Sequence, residues 1–171
     1  AAYYTGDGTE LSYEQARRWY VAAAEQNIGT ALLMLGVMAQ EGQGGPTNPK
    51  QAAQFYERAA TSGNGRAALN LGVLYELGQG VPQDREKARR FYRAGAELGI
   101  ARAAYNYAAL EYADAKDPGG YGSALAAYAK ALELGYDRAL DGLVDCMAGL
   151  KLNDHLAAAF VQIKDRTVES A

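Results

Sequence analysis

The chain holds one cysteine, Cys146, and one histidine, His155, in 171 residues. A lone cysteine excludes an internal disulfide and any cysteine-based metal cluster. A lone histidine excludes a His-pair metal site and leaves little for acid/base chemistry near neutral pH. Proline is scarce, at four residues, and the 20 glycines follow no collagen period, so fibrous and low-complexity classes do not fit. No apolar run approaches the roughly 18–20 residues that a membrane-spanning helix needs, so no membrane insertion is expected. Neither sign of charge dominates: 17 basic and 20 acidic side chains leave a net charge of −3. That balance excludes strong general attraction to nucleic acid or to acidic membranes.

What remains is a helical composition. Alanine abounds, tyrosine (13) outnumbers phenylalanine (three) and tryptophan (one), and 49% of residues are hydrophobic. Many alanines with few β-branched runs point to closely packed helices. The organisation is repetitive. Residues 66–75 (RAALNLGVLY) match 30–39 (TALLMLGVMA) 36 positions earlier and 102–111 (RAAYNYAALE) 36 positions later, with a further copy at 138–147 (RALDGLVDCM). A second block keeps the same period: Ala16, Trp19 and Tyr20; Ala52, Phe55 and Tyr56; Ala88, Phe91 and Tyr92; Ala124, Ala127 and Tyr128. A fixed period of this length is the mark of a repeat architecture.

Each copy predicts two helices. Ala68, Leu71, Gly72 and Tyr75 fall at i, i+3, i+4 and i+7, the stripe of an amphipathic helix. Gly78 and Gly80 end it. Asp84, Asn48 and Ser12 are placed to cap the second helix, and Pro49 takes the favoured first helical position. Ala88, Phe91, Tyr92 and Gly95 form that helix's inner face, and Gly63, Gly99 and Gly135 close it. Mid-helix Gly36 and Gly72 each disfavour the helix by about 1 kcal/mol relative to alanine, which implies a close crossing that admits a partner ring. Trp19, Phe55 and Phe91 are the expected inserted rings. One hairpin cannot cover both its faces, so copies must stack.

The stretch 67–84 (AALNLGVLYELGQGVPQD), followed by Lys87, Ala88, Phe91 and Tyr92, closely resembles the Sel1-like repeat (SLR), a tetratricopeptide relative with a Gly-x-Gly-Val interhelix loop. The resemblance covers most of the chain and weakens at 114–122, where another sequence of equal length replaces that loop. It implies an all-α, right-handed α/α solenoid of about four 36-residue hairpins. It also implies protein-interaction adaptors, many of them in bacterial envelopes or periplasm. The expected organisation is a single solenoid domain over 1–171. A partial repeat occupies 1–29, repeats follow at about 30–65, 66–101 and 102–137, and a last helix pair with a capping helix near 153–167 completes it. Tyr3 aligns with Tyr75, and Gly6 and Gly8 with Gly42 and Gly44. The chain is therefore expected to be a fragment whose first helix begins upstream.

No catalytic constellation stands out, so no enzyme activity, cofactor or metal is expected. His155 reads as an exposed or capping residue and Cys146 as a small buried one. Gly78–Gly80 lacks the strand and third glycine of a phosphate loop. The cluster Arg85, Lys87, Arg89, Arg90 and Arg93 reads as a solvated outer face softened by Glu86, in preference to a docking patch for an acidic partner. Most tyrosines occupy core slots, while Tyr105, Tyr112, Tyr121 and Tyr136 are left over.

The functional expectation is a non-catalytic scaffold that binds a protein or peptide. In tetratricopeptide-like solenoids the first helices line the concave side. The resemblance therefore assigns that face to Arg66, Leu69, Asn70, Val73, Glu76, Arg102, Tyr105, Asn106, Tyr112 and Arg138, with Thr30, Leu33, Met34 and Val37 from the preceding copy. Arg66, Arg102 and Arg138 share one slot. A cation near a helix N-terminus opposes the helix dipole by up to ~1 kcal/mol, which favours a binding role over a merely structural one. A glycan- or peptidoglycan-binding module of an exported cell-wall factor, its extra tyrosines stacking on sugar rings, is the alternative.

Overall fold

The computed structural model describes residues 12–150. Among them are eight helices and no strand: α1 (Tyr13–Glu25), α2 (Gly29–Glu41), α3 (Pro49–Thr61), α4 (Gly65–Leu77), α5 (Arg85–Glu97), α6 (Ala101–Asp114), α7 (Pro118–Glu133) and α8 (Ala139–Gly149). The expected capping helix, His155, Tyr3, Gly6 and Gly8 lie outside the described residues. The fold is all-α, with each helix packed on its sequence neighbour in two compact units that meet in sequence at Leu98 and Gly99.

The first unit packs α1 through α5 in order. Its second helices start where capping chemistry dictates. Ser12, Asn48 and Asp84 each accept the backbone N–H three residues on, at 3.3, 3.0 and 2.9 Å. Asn64 does the same for the first helix α4. A cap of this kind is worth about 1 kcal/mol. The interhelix loops repeat bond for bond: Gln43 N–H to Met38 and Asn48 N–H to Ala39 in one copy, Gln79 N–H to Leu74 and Asp84 N–H to Tyr75 in the next.

These loops explain their Gly-x-Gly. Gly44 and Gly80 have φ of +72° in both cases. A Cβ on Gly44 would press on the Tyr13 carbonyl, and one on Gly80 would overlap the backbone of Pro49 and Lys50. Each loop thus lies against the start of the preceding second helix, backbone on backbone, where no side chain fits. Arginines fasten the same layer. Arg17 donates to the Gly44 carbonyl and to Gln51, while Arg58 donates to the Ala24 carbonyl and to Asn27. Asn27 takes φ of +55° in the slot that Gly63, Gly99 and Gly135 fill elsewhere.

The mid-helix glycines do receive rings, but the rings are tyrosines. A Cβ on Gly36 would overlap Tyr56, and one on Gly72 would stand 2.6 Å from Tyr92. Tyr56 and Tyr92 are fully buried. Phe55 and Phe91 lie only partly buried at the core's edge, and Trp19 is 66% exposed. The expectation for Trp19, Phe55 and Phe91 is therefore corrected by one residue. A step of one position turns a side chain about 100° around a helix. The ring that turns inward also carries a hydroxyl with a partner: Tyr56 donates to Gln40 at 2.9 Å, and Tyr92 to Glu76.

The second unit packs α6, α7 and α8 on one another. Its hairpin connection is only residues 115–117, because Asp117 caps a helix whose first residue is Pro118. The Gly-x-Gly loop is gone, and Gly119, Gly120 and Gly122 are helical. Tyr128 is buried against Gly142 of α8. Tyr105 meets Tyr128 edge-on at 5.7 Å and Tyr136 at 5.0 Å, and Tyr112 meets Tyr121 edge-on at 5.8 Å. Burial pushes the Tyr128 phenol up to about 12 and the buried Cys146 thiol up to about 11.

Candidate functional site

The first helices α2, α4, α6 and α8 carry the predicted binding positions. In α4, Arg66 is the second helical residue and exposed, while Asn70 and Val73 are half-buried one and two turns on. Leu69 is buried, and Glu76 is held by the Tyr92 hydroxyl. In α2, Thr30 is exposed and Leu33, Met34 and Val37 are half-buried. Of the predicted α4 positions, then, Arg66, Asn70 and Val73 have polar or apolar surface to offer, and Glu76 anchors the core ring.

In the second unit Arg102 is again the second residue of its helix and exposed. Tyr105, Asn106 and Tyr112 are half-buried, the tyrosines with one face turned to other tyrosines. Burial, then the charge of Asp145, raises the Tyr112 phenol above its ordinary value. Arg138 stands exposed at the residue before α8. Arg66, Arg102 and Arg138 make no ion pair among the described residues.

On the second helices the cations are more engaged. Lys87 pairs with Asp84 at 3.5 Å, Arg93 with Glu97 at 3.7 Å and Arg89 with Glu86 at 2.6 Å. Glu86 thus reaches forward three residues to Arg89 and not four to Arg90. Among the described residues no group of three or more acidic, His or Cys side chains could hold a metal. No described helix is long and apolar enough to cross a membrane. Sequence reading missed the acceptor slot of Gln40 and Glu76, although a carboxamide and a carboxylate of equal length 36 residues apart were its signal.

The hairpin geometry matches a known repeat. The family model for the Sel1 repeat fits residues 1–28, 29–64 and 65–100, more than half of the chain. The chain belongs to the Sel1-repeat family. Its repeat boundaries fall one residue before those read from the sequence, so each begins with the first helix α2 or α4. A comparison with curated proteins returns no match.

Solved structures carry the same fold. A Sel1 repeat protein from Oxalobacter formigenes is 29% identical with a TM-score of 0.85, over 96% of this chain and 69% of its own. A protective antigen present in uropathogenic Escherichia coli strains, displaying an SLR fold, is 31% identical with a TM-score of 0.84 over 97% of this chain. This chain spans 36% of that antigen's length. Helicobacter pylori cysteine-rich protein B is 25% identical with a TM-score of 0.50 over 51% of this chain. Sel1 repeats are generally non-catalytic modules for protein–protein interaction.

Proposed function

We propose that this Sel1-repeat protein is a non-catalytic adaptor that holds a segment of a partner protein along the outward positions of its first helices, within a bacterial envelope or signalling assembly. The observation that carries the reading is the state of Arg66 and Arg102. Both guanidinium groups are exposed in the first turn of a helix, where the dipole disfavours a cation, and neither has an ion-pair partner among the described residues. A planar guanidinium in that state suits a carboxylate or a run of backbone carbonyls. Asn70 and Asn106 stand one turn further along each helix and offer both donor and acceptor. The envelope setting is what the resemblance to the repeat family implies.

The test is capture of a partner from bacterial lysate by the full chain, identified by mass spectrometry and compared with the Arg66→Glu/Arg102→Glu variant. A discrete protein retained by the parent chain and lost from the variant supports the reading. Selective retention of a saccharide, with a tyrosine fluorescence change abolished by replacing Tyr105 and Tyr112, would overturn it in favour of a glycan module.

A further inference from the structure

A second surface lies on the first unit, away from the positions just described. Tyr75 and Phe91 stack face to face, 5.6 Å between centroids and 5° from parallel, and form the wall of a groove of about 370 Å³. Lys87 sits 5.1 Å above the Tyr75 ring, a cation over an aromatic face. Arg90 and Ala94 of α5 continue the wall, and Glu57 of α3 lines the opposite side. Arg90 and Glu57 are both exposed, face the same groove, and have no ion-pair partner among the described residues. They do not bridge to each other. The groove therefore combines an apolar floor with one available charge of each sign.

The surrounding charge selects the occupant. α5 and its cap carry five cations (Arg85, Lys87, Arg89, Arg90 and Arg93) against three carboxylates (Asp84, Glu86 and Glu97), a positive excess in a chain whose net charge is −3. This concentration of positive charge draws acidic partners and repels basic ones. Arginine and aromatic side chains are also the types enriched at protein interfaces.

We infer that the groove between α3 and α5 is a second docking site, for an extended acidic peptide that places a carboxylate on Arg90 and an apolar side chain on Tyr75 and Phe91. The carboxylate takes the guanidinium in paired hydrogen bonds. A backbone N–H of the same peptide reaches Glu57, which orients the chain across the groove. Polyanions without an apolar side chain lose the stacking contribution and bind more weakly.

The probe is a fluorescein-labelled synthetic peptide, Asp-Asp-Phe-Glu-Asp-Leu, titrated with the full chain by fluorescence anisotropy. Its control has every acid replaced by the matching amide. The expected result is saturable binding that falls with salt, drops at least tenfold in Arg90→Glu, and is unchanged in Arg66→Glu. Circular dichroism of both variants, altered at exposed positions, should return the parent helix content. Equal binding of the amide peptide, no effect of Arg90→Glu, or loss of binding in Arg66→Glu would each overturn the assignment. So would anionic phospholipid vesicles competing the peptide off through Arg90, since that would make the groove a membrane contact.

Discussion

The two units solve the same packing problem with different partners. In residues 12–98 the buried tyrosines of α3 and α5 each close on the glycine of their own hairpin, Tyr56 on Gly36 and Tyr92 on Gly72. In residues 99–150 the glycine slot of the hairpin is filled by Ala108, and Tyr128 closes on Gly142 of the following helix. Gly142 occupies the slot that Met34, Asn70 and Asn106 fill elsewhere, all too large to admit a ring. The hydroxyl partner changes with it. Gln40 and Glu76 accept in the first unit, whereas their slot holds Tyr112 in the second, where tyrosine packs on tyrosine. The repeat thus specifies a large ring and a gap, and the gap's position decides which helix receives the ring.

The largest effect expected from breaking this lock is at Tyr92. Tyr92→Ala should lower stability by roughly 3–5 kcal/mol, since it empties a fully buried ring site. Phe91→Ala, at the half-exposed neighbour, should cost only about 1–2 kcal/mol, mostly the stacking on Tyr75. Chemical denaturation of the two variants checks the order. Equal losses would return the inward position to the phenylalanine.

Loops sharpen the contrast through two glycines with opposite signs. Gly80→Ala must place a Cβ against the Pro49 backbone at positive φ, for an expected loss of about 2–4 kcal/mol. Gly122→Ala sits inside α7 with nothing within 4 Å of its Cβ, so it should gain up to about 1 kcal/mol of helix propensity. Thermal melts of both would decide whether Gly-x-Gly belongs to the first unit's stacking or to any hairpin of this length.

High pH should trouble the second unit. Its folded state holds the Cys146 thiol at about 11, against an ordinary 9.0, and the Tyr128 phenol at about 12, against 10.0. The unfolded chain therefore releases these protons first. Stability is full below pH 9 and declines between pH 9 and 12. Hydrogen exchange within 99–150 should report that decline. Cys146→Ala should remove the part between pH 9 and 11, and an unchanged profile would contradict the burial assigned to the thiol.

Much of this architecture is readable from local chemistry. The caps Ser12, Asn48 and Asp84 and the closing glycines Gly63, Gly99 and Gly135 act within a few residues of themselves, and each falls where expected. The choice between Phe91 and Tyr92 does not. Hydrophobicity favours phenylalanine, and the deciding acceptor, Glu76, lies 16 residues upstream. Trp19 shares the Phe55 and Phe91 slot, and it follows them to the outside. The short link before α7 had a local signal in Asp117 and Pro118, a cap and a first-turn proline, which the expectation of a repeated loop length overrode. At the proposed binding face, the repeat slot located Arg66 and Arg102, but only side-chain packing separates the available Asn70 from the buried Leu69 and the engaged Glu76.

In the proposed function, the first helices present the adaptor's binding face through those arginines. Isothermal titration with the captured partner tests it most directly, using Arg66→Glu, Arg102→Glu and the double variant beside Arg90→Glu. Charge-assisted hydrogen bonds of about 1.5–3 kcal/mol each predict that either single reversal at Arg66 or Arg102 weakens binding tenfold or more. The double variant should lose measurable affinity, and Arg90→Glu should leave this partner bound. Full affinity in the double variant, with loss in Arg90→Glu, would place the binding face on the second helices and contradict the claim.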